Sequence, residues 1–212
     1  MNKLFSKLKV TTIEQLKYWF KKYVPLYIVN ALRSFKPPTQ NWDWTVMKLD
    51  FLINKYNIRS QGIAHVGAWR ASEIHEYRQL FGDIPVVFIE PNLKLQPAIE
   101  KNISPYSNVR CEYVALGAAD KTALLNLNYS NPDEDDVGQS SSILEPLLHP
   151  PIGTRNVEII VTTADELLKD DFIDFLLIDV QGYELEVLKG ATNLLKNVKY
   201  LIIEVNKTEQ YK

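Results

Sequence analysis

Two short apolar runs, each ending in a turn, bracket a helical pattern between residues 62 and 92. The first, Gly62-Ile63-Ala64-His65-Val66-Gly67-Ala68, ends at a glycine with a small neighbour, where the backbone can pass another group closely. The second, Val86-Val87-Phe88-Ile89-Glu90-Pro91-Asn92, ends at a carboxylate. Between them, Ala71 to Phe81 carries Ile74, Tyr77 and Phe81 at helical spacing. Strand, tight turn, helix, strand, acid is the first unit of a doubly wound nucleotide-binding sheet. Gly67 and Glu90 stand 23 residues apart, close to the ~20 over which such sheets bring an acid to a ribose.

The rest of the chain continues the alternation. A helix is expected around Lys94 to Asn102, with Leu95, Ile99 and Ile103 facing inward. Val109 to Leu116 reads as a third strand ending at Gly117, and Ala123 to Tyr129 as an edge or hairpin strand. Val157 to Val161 reads as another strand, after which Thr163 caps a short helix holding Asp165, Leu167 and Leu168. Phe175 to Val180 is apolar except for Asp179, as befits a central parallel strand covered on both faces. Gln181-Gly182-Tyr183-Glu184 then turns into a helix with Leu185, Leu188, Ala191 and Leu195 on one face. Leu201 to Val205 is the next buried strand, with Glu204 near its end. This pattern predicts an α/β domain over residues 58–212 with a mostly parallel, doubly wound, Rossmann-like sheet.

Residues 1–57 read as an N-terminal helical extension. Thr11 and Glu14 have capping-box spacing, and Ile13, Leu16, Phe20 and Val24 share a face. Pro25 suits the first turn of a second helix carrying Ile28, Leu32 and Phe35, and a third pattern runs over 43–56 behind Trp42 and Trp44. Eight Lys and Arg against the single acid Glu14 give residues 1–36 a charge of +7, which leaves −9 on the rest. Such an arm can lie on a membrane surface or a partner, or pack on the domain, and its apolar face requires burial in either case.

The function classes that remain are narrow. A net charge of −2 speaks against a nucleic-acid protein. Cys111 is the single cysteine, so no internal disulfide framework exists, and a reducing, cytoplasmic setting is expected. Three scattered histidines argue against a zinc site. The acids of Asn131 to Asp136 lack calcium-loop spacing and read as a solvated loop. Neither a secretory leader nor an apolar run of the ~18 residues a membrane span needs is evident.

Ligands of parallel α/β sheets bind outside the carboxyl ends of the strands. There the pattern puts Gly67, Glu90, Asn92, Asp179, Gln181 and Glu204. Three acids at the ends of apolar strands call for a site rather than packing, because unpaired buried carboxylates are costly. No Gly-x-x-x-x-Gly-Lys-Ser/Thr loop is present, and Gly67-Ala68-Trp69-Arg70-Ala71-Ser72 holds one glycine of the dinucleotide pattern. A nucleoside without phosphates fits better, with Glu90 accepting from the ribose hydroxyls. S-adenosylmethionine is such a ligand, and its sulfonium suits nearby carboxylates.

A series of blocks resembles the FkbM family of S-adenosylmethionine-dependent methyltransferases. They are His65-Val66-Gly67-Ala68, Ile89-Glu90-Pro91-Asn92, Ala115-Leu116-Gly117, Ser140-Ser141-Ser142, Thr163-Ala164-Asp165-Glu166-Leu167, Leu177-Ile178-Asp179-Val180-Gln181-Gly182-Tyr183-Glu184, Val187-Leu188-Lys189-Gly190-Ala191 and Ile203-Glu204-Val205. The resemblance implies a class I methyltransferase fold. It puts Gly67 and Ala68 under the methionine part of the cofactor, Glu90 on the ribose with Pro91 and Asn92 beside it, and Leu116 and Gly117 along the adenine. Asp179, Gln181 and Glu184 would face the cofactor sulfur and the acceptor, a sugar or natural-product hydroxyl. His65 stands where many members carry an acid, and it joins Asp179 and Glu184 as a candidate general base. Similar folds continue into a further helix and a terminal strand pair, so the sequence is expected to be a fragment or a truncated product. Two alternatives remain: an inactive scaffold on the same fold, and a nicotinamide-dependent oxidoreductase, against which the incomplete glycine pattern argues.

Overall fold

A computed structural model describes residues 49–129, 141–145, 153–204 and Tyr211. The expected helices before Leu49, the two tryptophans at 42 and 44, and the acidic loop 131–136 lie outside the described residues.

In chain order the elements are α1 (Leu49–Tyr56), β1 (Ile63–Val66), α2 (Ile74–Phe81), β2 (Val86–Ile89), α3 (Gln96–Ile103) and β3 (Val109–Glu112). Then follow β4 (Ala115–Leu116), β5 (Lys121–Tyr129), β6 (Gly153–Thr162), α4 (Ala164–Leu167), β7 (Phe175–Ile178), α5 (Glu184–Lys189) and β8 (Tyr200–Ile203). Single 3-10 turns at Leu93–Leu95 and Leu194–Lys196 complete them.

Five strands form a parallel sheet in the order β3-β2-β1-β7-β8. The chain winds outward from β1 in one direction and returns to its other side at β7. The crevice of a doubly wound sheet therefore opens at the carboxyl ends of β1 and β7. Both strands are apolar and covered on two faces. Ala64, Val66, Leu176 and Ile178 pack with α4, α5 and β8, while Ile63 and Phe88 pack with α1, α2 and α3. Each fully buried large side chain of this kind contributes roughly 1.5–3 kcal/mol.

Four local expectations need correction. The helix expected from Ala71 begins at Ile74, because Trp69 and Ala71 have φ of +47° and +54°, a left-handed backbone no helix continues. Val109 to Leu116 is not one strand. Val109–Glu112 pairs with β2, and Ala115–Leu116 pairs with β6 in a second sheet. The break falls at Tyr113 and Val114, where Tyr113 turns out to donate to Glu100 Oε1. That second sheet, ordered β4-β6-β5, also takes the strands expected at 123–129 and 157–161 and lengthens both. Finally, the last expected helix stops at Gly190, so Ala191 and Leu195 lie beyond α5.

Candidate functional site

A cleft enclosing about 630 Å³ of space, its open mouth included, lies at the carboxyl ends of β1, β2 and β7. The strand ends supply Gly67, Glu90 and Asp179, the β2 turn supplies Pro91 and Asn92, and the β7 turn supplies Gln181. The opposite wall comes from the second sheet, through Leu116, Leu125 and the strap Ser141-Ser142-Ile143.

Gly67 lets the first turn pass under this cleft. It has φ of +84°, and a Cβ there would fall 1.8 Å from the carbonyl oxygen of Asp179. The ends of β1 and β7 thus touch backbone to backbone. Glu90 sits in the crevice beside them, 8% exposed. Trp69 N–H donates to its Oε2 at 2.9 Å, and Asn92 N–H donates to its Oε1 at 3.0 Å. Burial nevertheless pushes its carboxyl up to about 7, against these two donors. Each oxygen keeps a lone pair for a further donor. Next to it, Asn92 is 4% exposed and accepts from Lys94 N–H at 3.2 Å. Its Nδ2 is buried with no acceptor among the described residues.

Across the cleft, Gln181 ties the acids together. Its Nε2 donates to Asp179 Oδ1 at 2.7 Å and to Glu204 Oε2 at 3.0 Å. Its Oε1 accepts from Tyr211 at 2.6 Å, and its carbonyl accepts from Ser142 Oγ at 2.7 Å. Glu204, exposed just beyond the end of β8, is held above the ordinary carboxylate range, at about 8, chiefly by its hydrogen bond to Asp179. Tyr211 is raised to about 12 by burial and by the surrounding carboxylates.

Four of the sequence candidates lie off the cleft. His65 is 5% exposed on the α2 face of β1, with Nδ1 3.0 Å from the Tyr77 hydroxyl and its ring beside Phe88. Burial lowers its pKa, so it is a neutral hydrogen-bonded histidine. Ala68 packs in the core with α1 and α2. Gly117 gives its N–H to Thr162 O at 2.8 Å. Glu184 turns its Oε1 to the N–H groups of Val180 and Gly182, at 3.2 and 3.0 Å, and so holds the turn that presents Gln181.

Residue patterns missed Trp69, Tyr183 and Tyr211. Trp69 lines the cleft mouth with the Arg70 guanidinium 4.4 Å from its ring. Tyr211 is 30 residues from its partner Gln181. No local spacing reports such long-range neighbours. Ser142 carried one signal, its place in a hydroxyl-rich block, but its role depends on a sheet the pattern did not separate.

The FkbM methyltransferase domain family matches residues 61–212. The chain belongs to that family. This FkbM domain also shares 40% identity over 47 residues with the hexuronic acid methyltransferase AglP of Haloferax volcanii. The match covers 21% of the chain, which spans about a fifth of that relative's length. Among the described residues, no helix is long and apolar enough to cross a membrane, and no group of three or more His, Cys, Asp or Glu could hold a metal ion.

Proposed function

We propose that this FkbM domain transfers a methyl group from S-adenosylmethionine to a hydroxyl oxygen of a sugar or glycan. The observation that carries the reading is the Glu90–Asn92 pair. A buried carboxylate with unused lone pairs stands beside a buried amide donor without an acceptor. A ribose diol has the complementary groups, two donors and two acceptors. The same lining runs from Glu90 past Gly67 to Asp179, where the rest of such a ligand would cross the ends of β1 and β7. Among the described residues of the cleft lining, no cluster of cations answers to a pyrophosphate, which favours a nucleoside over a dinucleotide.

The cofactor supplies a methyl already activated on a sulfonium. The protein's part is to align and to move a proton. Glu90 and Asn92 hold the nucleoside, and Asp179, on the cleft lining, receives the proton of the acceptor hydroxyl. Alignment of this kind can supply roughly 7–11 kcal/mol, and a positioned base about 10²–10⁴-fold. The preference for a sugar acceptor rests on the family and on the similarity to a hexuronic acid methyltransferase.

Calorimetric titration of S-adenosylmethionine and S-adenosylhomocysteine into the chain, beside Glu90→Ala, tests the reading. Micromolar binding that Glu90→Ala weakens is expected. A folded chain that binds neither ligand overturns it, and binding without turnover of any hydroxyl acceptor leaves a cofactor-binding scaffold.

A further inference from the structure

Gln181 is built into its place with unusual care. Its φ is +54°, a left-handed backbone that disfavours a side chain with a Cβ, and the next residue, Gly182, has φ of +99°. A Cβ on Gly182 would fall 2.6 Å from the Tyr211 ring, so glycine is what lets the tyrosine lie against this turn. Four hydrogen bonds from three side chains fix the conformation: Ser142 on the Gln181 carbonyl, Tyr211 on its side-chain oxygen, and Glu184 on the N–H groups of Val180 and Gly182. Strain that its surroundings hold in place is a pointer to function. All of this effort aims one neutral carboxamide nitrogen at two carboxyls, Asp179 at 2.7 Å and Glu204 at 3.0 Å.

A lysine or arginine at that point would neutralise both acids and keep both ionised. A carboxamide bridges them without supplying charge, and two acids so close cannot both ionise readily. We propose that Asp179 and Glu204 work as one proton-sharing pair, set by the Gln181 clamp, in which Glu204 is the positioning residue that governs how strongly Asp179 can take a proton from the acceptor. This inference rests on the methyltransferase reading for its role, though the pair itself stands without it.

The surroundings favour a single shared proton. Glu204 faces Asp179, Glu184 and Tyr211, and Asp179 faces His65 from β1. Tyr211 and His65 are neutral near pH 7, and the remaining neighbour, Glu184, is another acid, itself raised by burial. With one proton in the pair, Asp179 is a weak base. Once that proton leaves, the pair takes up the acceptor's proton readily. The transfer balances: the acceptor oxygen gains the methyl, the carbon–sulfur electrons return to sulfur as a thioether, and the hydroxyl proton ends on the pair.

The decisive experiment is a carboxyl-carbon NMR titration of the ligand-free chain, wild type beside Glu204→Gln, with kcat/KM against pH as the second readout. In the wild type, Asp179 and Glu204 are expected to respond together to one step near pH 8. In Glu204→Gln, the step near pH 8 is expected to vanish from the Asp179 signal. The wild-type kcat/KM should rise about tenfold between pH 7 and 9, and the variant should lose that rise. Should Glu204→Gln fail to fold, Gln181→Lys serves instead, and there the shared step near pH 8 should vanish. Separate wild-type titrations in the ordinary range overturn the pair. A shared step with an unchanged pH profile in Glu204→Gln overturns its role. Failure of cofactor binding would overturn the methyltransferase reading alone, because the NMR step is read without ligand.

Discussion

At the amino end of the five-stranded sheet, Asp174 receives Ser60 Oγ at 2.8 Å, the N–H groups of Gln61 and Gly62 at 3.0 and 3.3 Å, and Lys199 Nζ at 3.1 Å. At the carboxyl end, Glu90 receives two N–H groups and nothing else among the described residues. Both carboxyls are buried. Burial raises each, yet at Asp174 the donors outweigh it and the net shift is downward, while at Glu90 burial prevails and the carboxyl climbs to about 7. One end of the sheet spends its acid on its own backbone, tying the entries of β1, β7 and β8 together. The other end leaves its acid partly unmet, and an unmet buried carboxylate is an invitation to a ligand's donors.

That contrast can be broken by exchange of roles. The largest effect is expected at Glu90→Ala, which should weaken S-adenosylmethionine binding by about 10²-fold, the loss of one or two charged hydrogen bonds, and cost less folding stability than Asp174→Ala because it strands two N–H donors only. Calorimetry and thermal denaturation read the two quantities. Asp174→Ala should do the reverse. It strands the Ser60, Gln61 and Gly62 donors and should cost about 3 kcal/mol of folding stability in a urea titration, with cofactor affinity unchanged in the folded fraction.

The pH dependence sharpens the comparison, because the two shifts have opposite signs. Glu90 in the fold keeps a proton that the unfolded chain releases. Its contribution to stability is complete below about 4.5 and is lost as pH rises through about 7. Asp174 is shifted down, so its contribution is present above its ordinary value and is lost as pH falls through the folded value. Ligand-free Glu90→Gln should therefore lose the weakening between pH 5 and pH 7 that the wild type shows in urea denaturation, and Asp174→Asn should lose the acid limb. Cofactor affinity should fall by up to about tenfold per pH unit below 7, since the proton on Glu90 must leave before both oxygens accept. The smallest effect is expected at Lys199→Ala. Its half-exposed ammonium pairs with Asp174 from the surface, and its loss should cost less than about 1 kcal/mol.

How much of this was legible beforehand follows a physical line. Glu90 and Asp179 stand out because each ends an apolar strand, and local chemistry is visible in a local pattern. His65 could have been read better: with Ile63 it alternates onto the α2 face, opposite Ala64 and Val66. The break at Tyr113 and Val114 was hidden, because apolar residues continue across it and the pattern does not say which sheet a strand joins. The left-handed turn at Trp69 and Ala71 gave no sign either, since neither residue type favours it. Ser142 and Tyr211 meet Gln181 only through the tertiary fold, one from the second sheet and one from the far end of the chain.

Gly67 has a consequence for how such a site is inherited. Its missing side chain makes way for the Asp179 carbonyl, not for any ligand. A library selected for folding alone should return glycine there as strictly as one selected for catalysis. The hollow over β1 and β7 is thus maintained by chain packing, and a descendant that lost its chemistry would keep the room for it, ready for a new nucleoside ligand.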